Sequence, residues 1–475
     1  MRWSPEQVAA ITGGVLRQRA DRDIHTAFID SRAPAEGGLF VPIVAARDGH
    51  DFIPAALAAG AAAALVGRGR PLPPGAESTQ ASLIEVDDTL RALEALARDA
   101  RDRCPGPVIA ISGSNGKTTT RAMIAAVLGV SDRRLLCTRG NLNNHLGVPL
   151  TMVGDPDEPR SMVIELGMSA PGENDHLAAI VRPTHAVITS IALEHLEFMG
   201  SIEAIAAAEA EPIGRVVDGG ALIYPDDEPL LAPHLPQGDD GPSLRPFGVG
   251  PAATVRIVGV ELGERTEAIL EVALAGGGHE RVRPRLQVFG AHNARNAAAA
   301  LAVGVDLGLP LAAMVEALES VAPVGDRGRL LQAGPHRVIA DCYNANPGSV
   351  AAALGSLAGL RGQVEGPLVA VLGDMLELGP TEGELHAEVG RLAAQLGIDA
   401  VIAVGERARA IAKAAASGGI AATAFAADAE PRAVAAMTRQ LLGDRGGAAL
   451  LKGSRGIRLE RVVDALTAGA DEPAA

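Results

Sequence analysis

Short apolar runs separated by longer amphipathic stretches set the rhythm of the chain. The runs VIAIS (108–112), MVIEL (162–166), HAVITSI (185–191) and ALIYP (221–225) are apolar at successive positions. That is the pattern of interior strands in a mostly parallel sheet covered by helices. Residues 235–285 change character, with more Gly and Pro and a two-residue alternation at Val255–Leu262 and Glu267–Leu274, which predicts an antiparallel extension. Upstream, a helix over Ser4–Ile11, a loop over Asp30–Gly38, a strand at Leu39–Ile43 and strands near Ala63–Val66 and Ser82–Val86 make a small α/β unit, with a further loop at Pro71–Gly75. Leu90, Leu93, Leu96, Ala97 and Ala100 then share one face of a helix over Thr89–Arg103. After the Pro and Gly of 323–328, strands at Val338–Asp341, Leu368–Leu372, Ala400–Val404 and Ala448–Leu451 alternate with helices in a Rossmann-like order. Thr381 and Glu384 predict a capping box for the helix running to Leu396, and the last residues predict a frayed tail.

At 475 residues the chain exceeds one ordinary core, and about three domains are expected. We place them at 1–87, 88–323 and 324–475. The fold class is α/β throughout: a small N-terminal unit, a central mostly parallel sheet with a phosphate loop, and a C-terminal Rossmann-like unit. Hydrophobic residues make up 48% but aromatics only 2%, so packing must rely on Ala, Val and Leu. The net charge of −15 argues against a nucleic-acid or acidic-membrane surface and requires local traps for any anionic ligand. No apolar stretch is long enough to span a bilayer and the N-terminus has no secretory pattern, so a cytoplasmic location is expected; a monomer is expected as well. Cys104, Cys137 and Cys342 are scattered, which indicates free thiols and neither a disulfide framework nor a zinc site. Lysine occurs only at 117, 413 and 452, although Lys and Arg together number 42. Arginine has not replaced it there, and two of the three positions fall in motifs.

The strongest chemical signal is ISGSNGKTTT (111–120), where an apolar strand runs through a glycine turn into a helix. Gly113, Ser114, Asn115 and Gly116 can bring backbone N–H groups close to phosphate. Lys117 can reach terminal phosphates, Thr118 offers a hydroxyl to Mg²⁺, and Thr119 continues the helix N-terminus. The match to GxxxxGK[ST] lacks its first glycine, replaced by Ile111. Glu165 ends one apolar run and His195 follows another, so in a parallel sheet both reach the carboxyl edge beside the loop. They become candidate Mg²⁺ ligands with Thr118, Glu165 being the better because Mg²⁺ prefers oxygen.

Together with NLNNHLGVPL (141–150), IELG (164–167), HLEFMGS (195–201), FGAHNARNA (289–297), DCYNANPGS (341–349), LGDMLELG (372–379), KGSRGIRLE (452–460) and IDSRAPAEGGLFVPIVAARDGHDFI (29–53), this motif resembles the Mur ligases, in order and over almost the whole chain. The last three of the ordered motifs resemble the members that add D-alanyl-D-alanine. The resemblance implies an ATP- and Mg²⁺-dependent ligase of cell-wall synthesis. ATP would phosphorylate the terminal carboxylate of a UDP-N-acetylmuramoyl-tripeptide, and the amine of D-alanyl-D-alanine would attack the acyl phosphate.

Carried over position by position, the resemblance assigns His292, Asn293 and Asn296 to the adenine side. It assigns Asn344 and Asn346 to C-terminal contacts with nucleotide or substrate, and Arg329 to the phosphates. Asn141, Asn143 and Asn144 would line the channel near the γ-phosphate. Ser31, Arg32, Asp48, Gly49 and His50 would hold the UDP-muramoyl end, and Lys452, Ser454 and Arg455 the incoming dipeptide. Polar helix N-termini and Asn-rich turns offer purely structural explanations for several of these. One departure stands out. Many family members carry a carbamate-modified lysine in the helix after HLE…GS, and here Glu209 takes that position, with no lysine between Lys117 and Lys413. Either Glu209, helped by Glu194, supplies the missing carboxylate, or it is a solvated helix residue. Two rival readings stay open: another ligase of the superfamily, such as the one adding the third amino acid or a folate polyglutamate synthase, and a non-catalytic nucleotide-binding regulator.

Overall fold

The chain forms three sheets in succession, each flanked by helices. The computed structural model describes residues 2–71, 75, 80–131, 134–154, 158–238, 241–274 and 276–468. Most of the loop expected at Pro71–Gly75, and all but the first residue of the expected C-terminal tail, lie outside these residues.

The first sheet has five strands in the order Val15–Gln18, Ser82–Val86, Ala63–Gly67, Leu39–Phe40, Ala27–Phe28, parallel except for the first. Val15–Gln18 and Ala27–Phe28 escape a periodicity search because they are short and incompletely buried. Helix Thr89–Arg103, capped by Asp88 accepting from the N–H groups of Leu90 and Arg91, follows the sheet. Its Leu93, Leu96 and Ala97 join Leu39, Leu65 and Ile84 on one side to Val108, Met152 and Ile164 on the other in a single core. The first and second units therefore share apolar packing through this helix.

The central sheet runs His279–Val282, Thr266–Ala273, Val255–Leu262, Ser243–Gly248, Ala221–Pro225, His185–Ile188, Val108–Ser112, Ser161–Glu165, Leu135–Cys137, with Arg285–Leu286 added to Thr266–Ala273. It is parallel from Leu135–Cys137 to Val255–Leu262 and antiparallel beyond, so the antiparallel extension expected over 235–285 holds only from Val255–Leu262 onward, and Ser243–Gly248 is parallel to both its neighbours. Val108–Ser112 is buried at every position because strands flank it and helices cover it. The chain leaves this strand toward Ser161–Glu165 and Leu135–Cys137 on one side and continues at His185–Ile188 on the other. That reversal of strand order opens a crevice at the carboxyl ends. Helices Lys117–Leu128 and Asn293–Asp306 pack together on this sheet through Met123, Ile124 and Val127 against a run of buried alanines. The small side chains let the backbones approach closely, consistent with the scarcity of aromatics.

The third sheet runs Arg329–Ala333, His336–Asp341, Ala448–Lys452, Leu368–Gly373, Ala400–Val404, Ala421–Phe425, parallel except for the first. Ala421–Phe425 is an edge strand of half-exposed small residues with no apolar run to announce it. The capping box expected at Thr381 does not form. A 3-10 turn over Gly379–Thr381 leads into helix Glu382–Gln395, and the Thr381 hydroxyl donates to the Leu378 carbonyl instead. Among the described residues no helix is long and apolar enough to cross a membrane.

Candidate active site

At the carboxyl edge of the central sheet, Ile111 pairs with Glu165 and Ser112 with Ile188. This register brings the glycine turn, Glu165 and the segment after Ile188 to one place. Gly113 (φ +115°) and Gly116 (φ +86°) hold left-handed conformations. A Cβ at Gly113 would fall 2.3 Å from Thr189 Oγ1, and one at Gly116 2.5 Å from Asn296 Oδ1, so both positions require glycine. The turn is stitched to its neighbour: Ser114 N–H donates to Ser190 O (2.8 Å), Asn115 N–H to Ser190 Oγ (3.0 Å), and Ala192 N–H to Ser114 Oγ (2.9 Å).

Lys117 opens helix Lys117–Leu128, and its Nζ donates to Gly113 O (2.5 Å). It also lies 3.6 Å from Glu194 Oε1 and 3.7 Å from Glu209 Oε1. Burial opposes its charge, yet the carboxylates of Glu194, Glu209 and Glu165 outweigh that and raise its pKa. Burial, reinforced by Glu209, pushes Glu194 up to about 8 against the pull of Lys117. Two buried oxygens here, Glu194 Oε1 and Glu209 Oε1, have no hydrogen-bond donor. Glu165 accepts from the Thr118 hydroxyl (3.1 Å) and Asn143 Nδ2 (3.1 Å), and Arg121 lies 3.3 Å away.

Glu209 is 1% exposed, which removes the solvated-helix alternative. Its Oε2 accepts from Gly113 N–H (2.7 Å), Asn174 Nδ2 (3.1 Å) and the Ser112 hydroxyl. It supports the turn from beneath and is not on the cleft wall.

The cleft above, about 730 Å³, lies between the central and C-terminal units. Its walls include Ser114 to Thr119, Asn141, Asn143, Asn144, Glu165, Glu194, His195, His292, Asn293, Asn296, Asn344, Asn346 and Lys452. Asn296 accepts from Thr120 Oγ1 (3.1 Å) and donates to Asn293 Oδ1 (2.9 Å), while Asn293 donates to Phe289 O (3.0 Å). These amides tie helix Asn293–Asp306 to helix Lys117–Leu128. Burial lowers the pKa of His292, and its Nδ1 is buried without a partner. Asn346 caps helix Pro347–Ala358 in a capping box with Ser349, and its Nδ2 donates to Asn115 Oδ1 (2.9 Å), linking the two units. Lys452, 3% exposed, bridges Asp341 Oδ2 (2.7 Å) and Asn344 O (2.9 Å). His195 meets Glu377 from the C-terminal unit.

Several expected residues lie off the cleft wall. Arg329 opens a strand paired with Ala340, and its guanidinium turns to Asp326 (3.1 Å). Gly328 (φ +62°) reverses the chain before it, and Arg327 lines the cleft instead, its guanidinium 3.4 Å from the Tyr343 ring centroid. Ser454 is buried between Leu376 N–H and Ala345 O, and Arg455 sits mostly in solvent beyond Tyr343. In the N-terminal unit Asp48 accepts from His50 N–H and pairs with Arg70, and the two ring nitrogens of His50 engage Asp48 and Gly67 N–H. Gly49 is pressed against Ile43, where a Cβ would fall 2.5 Å from its nitrogen. These three residues build a turn. Arg32 forks onto Asp30 beside Ser31, with most of its side chain in solvent. Arg327, Asp341 and Tyr343 were not singled out from sequence, although the last two stand inside DCYNANPGS. A charged residue ending an apolar strand, as Asp341 does, was the available signal. Among the described residues no group of three or more His, Cys, Asp or Glu forms a ready metal cage, and the three cysteines are free.

Comparison with known proteins agrees with this geometry. The Mur ligase middle domain matches residues 111–304, and the Mur ligase glutamate ligase domain matches 326–455. The UDP-N-acetylmuramoyl-tripeptide–D-alanyl-D-alanine ligase of Bacillus subtilis is 36% identical over 405 residues, covering 84% of this chain and 85% of the relative. That of Escherichia coli is 33% identical over 97% of each. A crystal structure of MurF from Acinetobacter baumannii superposes with TM-score 0.84 at 31% identity, covering 98% of this chain and 99% of that one. MurF of Thermotoga maritima in complex with ADP gives 0.80 at 26%, covering 94% and 98%. The chain belongs to the Mur ligase family.

Proposed function

We propose that the chain is an ATP-dependent ligase joining D-alanyl-D-alanine to a UDP-N-acetylmuramoyl-tripeptide, with release of ADP and phosphate. The carrying observation is that the first turns of three helices, at Lys117, Asn293 and Asn346, face one cleft that also holds Lys117, Arg295, Arg327 and Lys452. The helix N-termini make an anion trap in an otherwise acidic protein, while Lys117, Arg295 and Lys452 are each held in place there by carboxylates.

The tripeptide's terminal carboxylate oxygen attacks the γ-phosphorus of ATP, ADP leaves, and an acyl phosphate forms. The neutral dipeptide amine then adds to the acyl carbon, loses its proton, and the tetrahedral intermediate expels phosphate. Lys117 and the N–H groups of the glycine turn neutralise and orient the phosphates, the larger part of what phosphoryl transfer needs. Closure between the central and C-terminal units excludes water from the acyl phosphate. Arg327, held by stacking on Tyr343, takes the phosphate-facing role in place of Arg329. His292, Asn293 and Asn296 lie on the nucleotide side, and Asn141, Asn143 and Asn144 flank the reacting groups. Lys452 faces the dipeptide, and Ser31 and Arg32 are the N-terminal candidates for the UDP end.

The donor set suits Mg²⁺. Thr118 and Glu165 are adjacent, His195 lines the same cleft, and Glu194 Oε1, on the cleft wall, is buried without a donor. Bound there, the ion would neutralise charge on the β- and γ-phosphate oxygens. Glu209, its Oε1 3.7 Å from Lys117 Nζ, holds the glycine turn at the position where the family resemblance implies a modified lysine. The protein acts in the cytoplasm as a monomer.

An assay of ADP release with the UDP-tripeptide, with and without D-alanyl-D-alanine, tests the proposal. Turnover should require both. If ADP release is indifferent to the dipeptide, the protein is a nucleotide-binding regulator or a ligase for another amine.

A further inference from the structure

Loop 374–379 of the C-terminal unit touches the central unit at a residue of the cleft. Glu377 Oε2 lies 2.5 Å from His195 Nδ1, and the Glu377 carbonyl accepts the Glu197 N–H at 3.1 Å. Both partners hold left-handed backbone, His195 at φ +49° and Glu377 at φ +64°. Among the described residues only four non-glycine positions have positive φ, and two of them meet here. Such strain persists where surrounding contacts over-determine it.

The loop is anchored on its own side. Asp374 Oδ1 accepts from Ala408 N–H (2.7 Å), Met375 N–H donates to His386 Nε2 (3.0 Å), and Leu376 N–H to Ser454 Oγ (3.1 Å). On the central side Leu193 and Leu196, flanking His195, pack into the C-terminal core. A Cβ at Gly379 would lie 3.3 Å from Glu197 Cα, so the loop is seated against the backbone it faces. A partly exposed carboxylate and imidazole gain little from attraction alone. Their value is geometric: an imidazole that donates Nδ1–H to a carboxylate has its tautomer and ring plane set, with the lone pair on Nε2.

We propose that Glu377 is a positioning residue for His195: reaching across from the C-terminal unit, it fixes the imidazole so that the cleft's cation site is complete only when loop 374–379 is docked. The inference rests on the reading of His195 as a magnesium ligand. Docking of the C-terminal unit and readiness for the cation then become one event, which would keep ATP from being spent in an open cleft.

The test is Mn²⁺ affinity by electron paramagnetic resonance, on the full chain with a non-hydrolysable ATP analogue, so that no turnover is involved. Glu377→Gly deletes the carboxylate at a backbone position that glycine prefers, so the fold is not penalised. We expect Mn²⁺ affinity to fall about 10- to 100-fold with no loss of melting temperature. Glu377→Gln should recover part of the loss, because its amide oxygen can still accept from Nδ1–H. On a His195→Ala background, Glu377→Gly should add nothing. If His195→Ala weakens Mn²⁺ binding and Glu377→Gly does not, the positioning role is overturned and the ligand reading stands. Additive losses in the double variant, or a lowered melting temperature in Glu377→Gly, would make the contact merely structural and overturn it too. If His195→Ala itself changes nothing, the ligand reading fails and takes this inference with it.

Discussion

Replacing Glu209 by alanine should undermine the glycine turn from below. Its Oε2 serves three donors, Gly113 N–H at 2.7 Å, Asn174 Nδ2 at 3.1 Å and the Ser112 hydroxyl, in a place 1% exposed to solvent. The hydroxyl can rotate to another acceptor, but the backbone N–H and the amide cannot. A buried donor left unsatisfied costs about 1–3 kcal/mol, and Lys117 also loses one of its two nearest carboxylates, so the total is on the order of 3–5 kcal/mol. For a unit of this size that corresponds to a fall in melting temperature of roughly 6–20 °C. Glu209→Gln keeps an oxygen for Gly113 N–H but loses the charge and turns a buried amide donor toward Lys117, so its cost should be about 1–3 kcal/mol. Thermal unfolding by far-UV circular dichroism gives the stability, and ATP dependence of ADP release gives the KM, which should rise in both variants. A Glu209→Ala protein that melts within about 2 °C of wild type, with its KM for ATP unchanged, would refute the reasoning.

Three further predictions follow from single contacts. Gly113→Ala forces a Cβ to 2.3 Å from Thr189 Oγ1 at φ +115°, so ATP binding should fall by at least about tenfold, or about 1.4 kcal/mol; wild-type affinity by calorimetry would contradict the geometry. Arg327→Ala should lower kcat/KM for ATP by at least about tenfold while Arg329→Ala costs less than about threefold; the reverse ranking in steady-state kinetics would restore Arg329 to the phosphates. Burial lowers the pKa of His386, whose Nδ1 donates to Glu382 O and whose Nε2 accepts Met375 N–H. The unfolded chain binds this proton more readily, so the stability it contributes is present above pH 6.5 and lost as pH falls below it. Melting temperatures at pH 7.5 and 5.5 should therefore converge between wild type and His386→Gln, and parallel profiles would contradict this.

Much of the fold was legible because its signals are local. The run Val108–Ile111, the glycines after it and the helix-forming residues after Lys117 each favour the strand, turn and helix that form. The buried parallel strands announced themselves as apolar runs. Leu135–Cys137 and Ala421–Phe425 did not, being short or half-exposed edge strands whose pairing depends on distant residues. Thr381 has the spacing of a cap but enters its helix from a 3-10 turn, which spacing alone cannot reveal. At the site, Lys117, Glu165 and His195 were legible as residues placed at the carboxyl ends of neighbouring parallel strands. Arg329 lies off the cleft wall after Gly328 turns the chain, and only the backbone shows that Arg327 faces the cleft. Asp48, His50 and Ser454 have the right chemistry for ligand contact, but their partners, Arg70, Gly67 and Leu376, are far enough along the chain that sequence gave no hint of them.

The measurement that bears most directly on the central claim is calorimetric titration of the protein with ATP in the presence of magnesium, repeated on Lys117→Ala together with single-turnover rates. Wild type should bind ATP, and the variant should lose at least about a hundredfold in the rate of phosphoryl transfer, or about 2.7 kcal/mol of transition-state stabilisation. Failure of the wild-type protein to bind ATP, or a Lys117→Ala protein that turns over at the full rate, would contradict the account.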